Sequence, residues 1–110
     1  RDMFNRELFD KMKPDSVLIN TSRGGVVVES DLVDALQSGH LRGAGLDVFG
    51  VEPVPCDHPY WGLPNVILTP HVSGVTRSYW RREVELIVGN LRRFLGDEPL
   101  MNLVDKIEAY

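Results

Sequence analysis

The sequence predicts an α/β fold with a doubly wound parallel sheet, because three apolar segments alternate with helical patterns. The apolar segments are residues 16–20, 43–49 and 65–69. Residues 17–19 are apolar without a charge, which is typical of a strand buried on both faces of a parallel sheet. Strands that alternate with helices indicate right-handed βαβ units, so we expect the strands to run parallel.

Helical patterns separate and follow these strands. A short helix is predicted over residues 5–12, with Asn5 as its N-cap. A second helix is predicted to begin at Ser30, again an N-cap residue type, and to end at Gly39. A long helix with one apolar stripe is predicted over residues 76–95. The proline-rich segment 50–64 is predicted to be a long loop, which in compact domains usually has a function.

Composition narrows the classes of partner. The 110 residues allow one domain at most, and the net charge of −4 argues against a nucleic acid or an anionic membrane as partner. No apolar run approaches the roughly 20 residues of a membrane span. The single cysteine, Cys56, excludes an internal disulfide and fits a reducing compartment, so we expect a cytoplasmic protein. Because Arg1 is not an initiator methionine, the chain is expected to be a piece of a longer protein.

Three polar residues each follow one predicted strand: Arg23, Glu52 and His71. The carboxyl ends of parallel strands share one edge of a sheet, where ligands bind in open α/β folds. A guanidinium fits a carboxylate through two hydrogen bonds, and a histidine can transfer a proton near neutral pH. A carboxylate bonded to one ring nitrogen of a histidine fixes its tautomer and favours the protonated ring. From these residues alone, unrelated surface positions remain the alternative.

Three motifs carry a resemblance to a known family. They are Asn-Thr-Ser-Arg-Gly-Gly at residues 20–25, Gly-Leu-Asp-Val-Phe at residues 45–49 with Glu52-Pro53, and Leu-Pro-Asn-Val-Ile-Leu-Thr-Pro-His at residues 63–71. In order and spacing they resemble the D-isomer-specific 2-hydroxyacid dehydrogenases, which include glyoxylate/hydroxypyruvate reductases and phosphoglycerate dehydrogenases. The resemblance covers nearly the whole chain.

The resemblance implies a role for each motif residue. Arg23 corresponds to the arginine that binds the substrate carboxylate, His71 to the general acid/base, and Glu52 to its acidic partner. Asp47 corresponds to the residue at the nicotinamide end of the cofactor. The implied cofactor contacts are Thr21, Ser22, Arg23, Asp47, His71, Ser73 and Gly74. The implied reaction is reduction of a 2-keto acid to the D-2-hydroxy acid, and the reverse, with NAD or NADP.

The sequence also departs from the family. It has no Gly-x-Gly-x-x-Gly phosphate-binding turn, so it is interpreted as part of a Rossmann-like fold. Residues 1–98 are assigned to the C-terminal half of an NAD(P)-binding domain, and residues 99–110 to a segment returning to a substrate domain. An incomplete domain of this kind leaves a sheet edge and apolar surface exposed, so a homodimer is expected.

Two other readings stay open. The same fold is used by NAD-sensing corepressors, which bind partners without catalysis, and the chain is alternatively an inert fragment. A metal site is not predicted, because the spacing of His40, Cys56, Asp57 and His58 matches no zinc pattern.

Overall fold

The computed structural model describes residues 1–107 and has the predicted α/β architecture. Its helices and strands follow in this order: α1 (Arg6–Lys11), β1 (Ser16–Asn20), α2 (Glu29–Gln37), β2 (Leu41–Leu46), β3 (Val66–Leu68) and α3 (Tyr79–Leu95). Single 3-10 turns occur at Gly24–Val26 and Pro59–Gly62. The chain divides into two compact units: Arg1–Ser73, and the segment that begins at Gly74.

The first unit contains a three-stranded sheet in the order β1-β2-β3, with both pairs parallel. The register aligns Ile19 with Gly45 and Gly45 with Ile67. All three strands therefore end at the same edge, as the sequence predicted, and the loops that follow them are the ones carrying the motif residues.

One face of the sheet is covered and the other is open. Helix α2 packs against β2, and α1 packs against α2. Leu18 and Asn20 of β1 are buried, whereas the alternate residue Ile19 is 73% exposed and Ile67 of β3 is 72% exposed. The expectation that β1 is buried on both faces was therefore wrong. An unbroken apolar run is typical of a strand that is buried on both faces of its sheet. The run itself does not indicate whether a second layer covers the other face.

The core lies between the covered face of the sheet and its helices. Phe9 of α1, Leu32 of α2 and Leu41 of β2 are almost completely buried. They pack in one cluster with Leu46 and with Tyr60 from the second 3-10 turn. The proline-rich loop thus contributes an aromatic side chain to the core.

Several boundaries differ from the prediction. Asn5 caps α1 as expected, its Oδ1 accepting from the Leu8 N–H at 3.2 Å. Helix α2 begins one residue earlier than predicted, because the Val28 carbonyl accepts the first N–H groups of the helix and no side chain caps it. Strand β2 starts at Leu41 and stops at Leu46, so residues 47–49 belong to the following loop although they are buried.

The second unit consists of α3 and the segment after it. None of the α3 residues is buried, and its apolar stripe is exposed: Trp80, Val84, Ile87, Val88, Leu91 and Leu95. Asn90 and Met101 exchange two hydrogen bonds, of 2.8 and 3.2 Å, which hold the following segment beside the helix. The domain boundary between residues 98 and 99 stays a prediction, and residues 108–110 of the predicted returning segment lie outside the described residues.

Candidate active site

A histidine and a glutamate form a hydrogen-bonded pair at the carboxyl edge of the sheet. Nδ1 of His71 lies 2.8 Å from Oε2 of Glu52, and the Phe49 N–H donates to Oε1 of the same carboxylate at 2.9 Å. The His71 contact and then the Phe49 N–H hold the pKa of Glu52 below its ordinary value. Because an ionised carboxylate only accepts hydrogen bonds, Nδ1 of His71 carries the proton that joins the pair. This leaves Nε2 as the nitrogen available to a substrate.

His71 has a left-handed backbone, with φ of +55°. Its N–H bonds to the carbonyl of Thr69 at 3.0 Å, so the chain turns sharply around Pro70 directly after β3. A left-handed conformation costs a residue other than glycine about 1–2 kcal/mol. Such strain persists only where the surroundings enforce it, and it is common at functional sites.

Asp47 provides that enforcement. Asp47 is 3% exposed, and its carboxylate accepts from the N–H groups of Val72 at 3.0 Å and Ser73 at 2.8 Å, and from the Thr69 hydroxyl. The Thr69 hydroxyl, more than the backbone donors, holds the pKa of Asp47 far below its ordinary value although burial opposes the shift. Asp47 therefore anchors the turn that presents His71. Its predicted role as a cofactor contact stays a prediction.

The loop after β1 carries Arg23 beside the loop after β2. The Arg23 guanidinium is exposed and donates to the carbonyl of Ser22 at 2.7 Å. Gly24, next to it, meets the backbone of Phe49 so closely that a Cβ there would lie 1.9 Å from the Phe49 carbonyl carbon. Within residues 1–107, no hydrogen bond joins Arg23 to Glu52 or His71. The structure thus pairs Glu52 with His71 and places Arg23 on an adjoining loop.

The remaining predicted cofactor contacts lie at the same edge or just beyond it. Thr21 and Ser22 are exposed, and Ser22 donates through its N–H and its hydroxyl to Asn20. Ser73 uses its N–H to bind Asp47, and Gly74 opens the second unit. Sequence reasoning missed the anchoring by Asn20 and Asp47. The anchoring by Asp47 left no local signal, since the groups that it binds lie 22 to 26 residues away. Asn20 binds Ser22 and Arg23, so an asparagine two residues before a serine is the signal that could have found its turn.

A cavity of about 520 Å³ adjoins the histidine–glutamate pair. Its lining combines these two polar side chains with mostly apolar ones: Phe49, Glu52, Pro53, Val54, Trp61, Leu68, Thr69, Pro70 and His71. The His71 side chain is 45% exposed and that of Glu52 36%, so a ligand in this cavity can reach both of them.

Other titratable side chains fall outside this site. His58 packs on the ring of Tyr60 with centroids 4.4 Å apart, as expected of a loop histidine beside aromatic residues. His40 binds the carbonyl of Phe9, and Cys56 is exposed. Over the described part of the chain, no group of three His, Cys, Asp or Glu side chains is arranged to hold a metal ion.

The family model for the NAD binding domain of D-isomer specific 2-hydroxyacid dehydrogenases matches residues 1–73, which is most of the chain. The chain belongs to this family. Its sequence is 44% identical over 102 residues to a hydroxypyruvate reductase of Blautia hydrogenotrophica, covering 93% of this chain and 31% of that protein. It is 41% identical over 108 residues to glyoxylate/hydroxypyruvate reductase A of Escherichia fergusonii, covering 98% and 34%.

Solved structures of D-isomer-specific 2-hydroxyacid dehydrogenases share the fold. One from Xanthobacter autotrophicus Py2, in complex with NADPH and MES, has a TM-score of 0.81 at 40% identity and covers 100% of this chain and 45% of that one. An NADPH-dependent glyoxylate/hydroxypyruvate reductase from Sinorhizobium meliloti, in complex with NADP and sulfate, has a TM-score of 0.81 at 39% identity, covering 100% and 36%. The chain thus spans about a third of the length of the curated relatives it matches. Among residues 1–107, no helix is both long and apolar enough to cross a membrane.

Proposed function

We propose that the protein carrying this chain reduces a 2-keto acid to the D-2-hydroxy acid, and catalyses the reverse reaction, with NAD(P)H. The observation that carries the proposal is the 2.8 Å pair of His71 and Glu52 at the carboxyl edge of the sheet. A protonated histidine held by a carboxylate is the group that a carbonyl reduction needs, because the carbonyl oxygen takes up one proton as the carbon is reduced. Relatives named as hydroxypyruvate and glyoxylate reductases support this reaction class.

His71 is assigned the proton transfer. Its Nε2–H donates the proton to the substrate oxygen, while Nδ1–H stays bonded to the Glu52 carboxylate. Glu52 stabilises the protonated ring before the transfer and keeps it oriented afterwards, and the Phe49 N–H fixes the carboxylate in turn. In the oxidation direction His71 takes the proton back from the hydroxyl group.

Arg23 is assigned the substrate carboxylate. A guanidinium offers two parallel N–H donors to a carboxylate, which gives orientation as well as charge. The side chain is exposed, and its single described hydrogen bond to a carbonyl leaves other donors for a ligand. The close approach of Gly24 to Phe49 places this donor beside the loop that holds Glu52.

The residues at the strand ends fit the nicotinamide part of the cofactor. Exposed hydroxyl and backbone groups at Thr21 and Ser22 offer donors and acceptors of the kind a carboxamide needs. When bound, the reduced nicotinamide supplies the hydride for the carbonyl carbon. The phosphate-binding glycine turn is absent from these 110 residues, so we expect the isolated chain to bind NADH with a Kd above about 10 μM, weaker than roughly −7 kcal/mol.

We further propose that the protein is a cytoplasmic homodimer without nucleic-acid or membrane partners. In the isolated chain, the unpaired edge of β1 and the open sheet face around Ile19 and Ile67 support self-association. The single exposed Cys56 supports the cytoplasmic location. The acidic net charge supports the absence of nucleic-acid and membrane partners.

The test is steady-state kinetics of the whole protein with NADH and NADPH against glyoxylate, hydroxypyruvate and larger 2-keto acids. His71→Asn is expected to lower kcat by about 10²–10⁴-fold with less effect on KM, because the proton is needed in the transition state. Arg23→Ala is expected to raise KM for the keto acid much more than KM for the cofactor. His58→Asn is the matched control, since asparagine also caps a helical turn and His58 lies outside the site.

Glu52→Gln tests the pair itself. It keeps the shape of the side chain but removes the charge that favours the protonated ring, so the alkaline limb of the reduction rate should move to lower pH. An unchanged pH profile would mean that Glu52 is not the functional partner of His71. If the wild-type protein oxidises neither cofactor with any 2-keto acid, or if His71→Asn is fully active, the proposed function is wrong.

A further inference from the structure

Asn20 is a buried polar residue at the last position of β1, 6% exposed. Among the described residues, the buried polar or charged ones are Asn20 and Asp47. The Asp47 N–H donates to the Asn20 carbonyl at 2.9 Å. A buried polar side chain is costly unless its hydrogen bonds are made, so the partners of the Asn20 amide indicate its use.

The Asn20 side chain closes the turn that carries Arg23. Its Oδ1 accepts from the Ser22 N–H at 3.1 Å and from the Ser22 hydroxyl at 2.9 Å. Its Nδ2 donates to the carbonyl of Arg23 at 3.1 Å. One amide therefore binds the chain just before and just after the Arg23 Cα, and both of its ends are satisfied.

The other side of the same turn is fixed by packing. Gly24 lies against the backbone of Phe49, where a Cβ would meet the carbonyl carbon at 1.9 Å, and Phe49 in turn binds Glu52. The Arg23 backbone is thus held between the Asn20 amide and this contact. Its side chain is exposed, so the backbone determines where the guanidinium can reach.

We propose that Asn20 is a positioning residue that acts through Arg23 and so sets the affinity of the site for the carboxylate of its substrate. The inference rests on the proposed function. An asparagine suits this position because the turn requires one acceptor, for Ser22, and one donor, for the Arg23 carbonyl. Aspartate has nearly the same shape but no donor, and would bring a carboxylate oxygen against that carbonyl.

The experiment compares Asn20→Asp with the wild type in the whole protein. We expect KM for the keto acid to rise by about 10- to 100-fold, since a displacement of about 1 Å at a positioned group costs on that order. KM for the cofactor and kcat should change less. Asn20→Ser, which keeps a short acceptor but cannot reach the carbonyl, should give the same pattern if Asn20→Asp fails to fold.

Ser16→Ala is the matched control at the opposite end of β1. The Ser16 hydroxyl is buried with no hydrogen-bond partner among the described residues, so its removal should leave the kinetics unchanged. Circular dichroism and thermal melting confirm that each variant is folded before its kinetics are interpreted.

Two readouts separate positioning from a structural role. The ratio of kcat/KM for a keto acid to that for its uncharged methyl ester should fall in Asn20→Asp, because only the acid uses Arg23. In an Arg23→Ala background, Asn20→Asp should change kcat/KM by less than about twofold, since the residue it acts through is gone.

An unchanged acid-to-ester ratio, or full additivity of the two substitutions, would overturn the proposal. A wild-type protein without 2-keto acid reductase activity is a different outcome, because it overturns the proposed function and with it the inference. An active wild type whose Asn20 variants keep the ratio overturns the inference alone.

Discussion

Gly24→Ala is expected to damage both the stability of the first unit and the site, through one atom. The added Cβ would lie 1.9 Å from the carbonyl carbon of Phe49, 2.0 Å from its oxygen and 2.5 Å from the Gly50 nitrogen. Non-bonded carbon atoms pack at about 3.5–4.0 Å, so the two loops must separate by more than about 1 Å. Both partners are backbone, and neither can rotate away as a flexible side chain would.

The expected loss of stability follows from this overlap. Overpacking that forces backbone shifts costs about 1–3 kcal/mol, occasionally more. For a unit of this size, each kcal/mol corresponds to about 4–8 °C in Tm. Because Arg23 precedes the contact and Glu52 is bonded to Phe49, the same shift should lower kcat/KM by about 100-fold in the whole protein.

Gly25→Ala is the matched control one residue away. A Cβ at Gly25 has no atom within 4 Å, so its effect should stay within about 0.5 kcal/mol. The assays are thermal melting by circular dichroism and keto-acid kinetics. If the two alanine variants melt together and retain equal kcat/KM, the contact between the two loops is not as close as the structure has it, and the reasoning fails.

Three further predictions concern the pH dependence of stability and self-association. Hydrogen bonds lower the pKa of Asp47 in the folded protein. Its contribution to stability is therefore present above the unfolded-state pKa of about 4 and is lost as the pH falls through the folded-state pKa. Asp47→Asn should reduce this loss of stability at acid pH, measured as the free energy of unfolding in urea. Burial, and secondarily Glu29, raises the pKa of Tyr60. Its contribution to the free energy of unfolding is therefore complete below about pH 10 and declines above it. Tyr60→Phe should reduce that decline at alkaline pH. Replacing Ile19 and Ile67 together by threonine should reduce self-association in sedimentation velocity, because both side chains are exposed on the open sheet face.

Each of these predictions has a contrasting outcome. For the acid range, an undiminished loss of stability in Asp47→Asn would assign that loss to other groups. For the alkaline range, an unchanged decline in Tyr60→Phe would assign the loss to another group. For self-association, Val51→Thr changes an exposed apolar residue elsewhere, and an equal decrease would argue against the sheet face.

Much of the fold could be predicted from local patterns. The bounds of β1 and the Asn5 cap of α1 depend on adjacent residues, and both were predicted correctly. The exposure of Ile19 was not predictable in this way, because burial of a second sheet face depends on a layer that the local pattern does not report. The start of α2 was misplaced because a backbone carbonyl, that of Val28, and not a capping side chain begins the helix.

The site was predictable to the same extent. The shared edge of parallel strands made a contact between Glu52 and His71 possible, and the family resemblance implied the pairing, which the structure has at 2.8 Å. The turns anchored by Asn20 and Asp47 depend largely on side-chain contacts with backbone N–H and carbonyl groups, which every residue except proline offers in full. The Asp47 partners lie 22 to 26 residues away, so no local pattern indicates them. The Asn20 partners lie two and three residues away, in the short-range arrangement by which an asparagine side chain closes a turn.

The left-handed backbone of His71 also determines which substitutions that position tolerates. Glycine adopts this conformation without steric cost, asparagine, aspartate and histidine adopt it more readily than most residues, and β-branched residues resist it most. A library of variants sorted only for folded protein should therefore drift away from histidine toward glycine. The same library sorted for turnover should return to histidine. Stability and catalysis thus select different residues at one position, as expected where a functional group is held in a strained conformation.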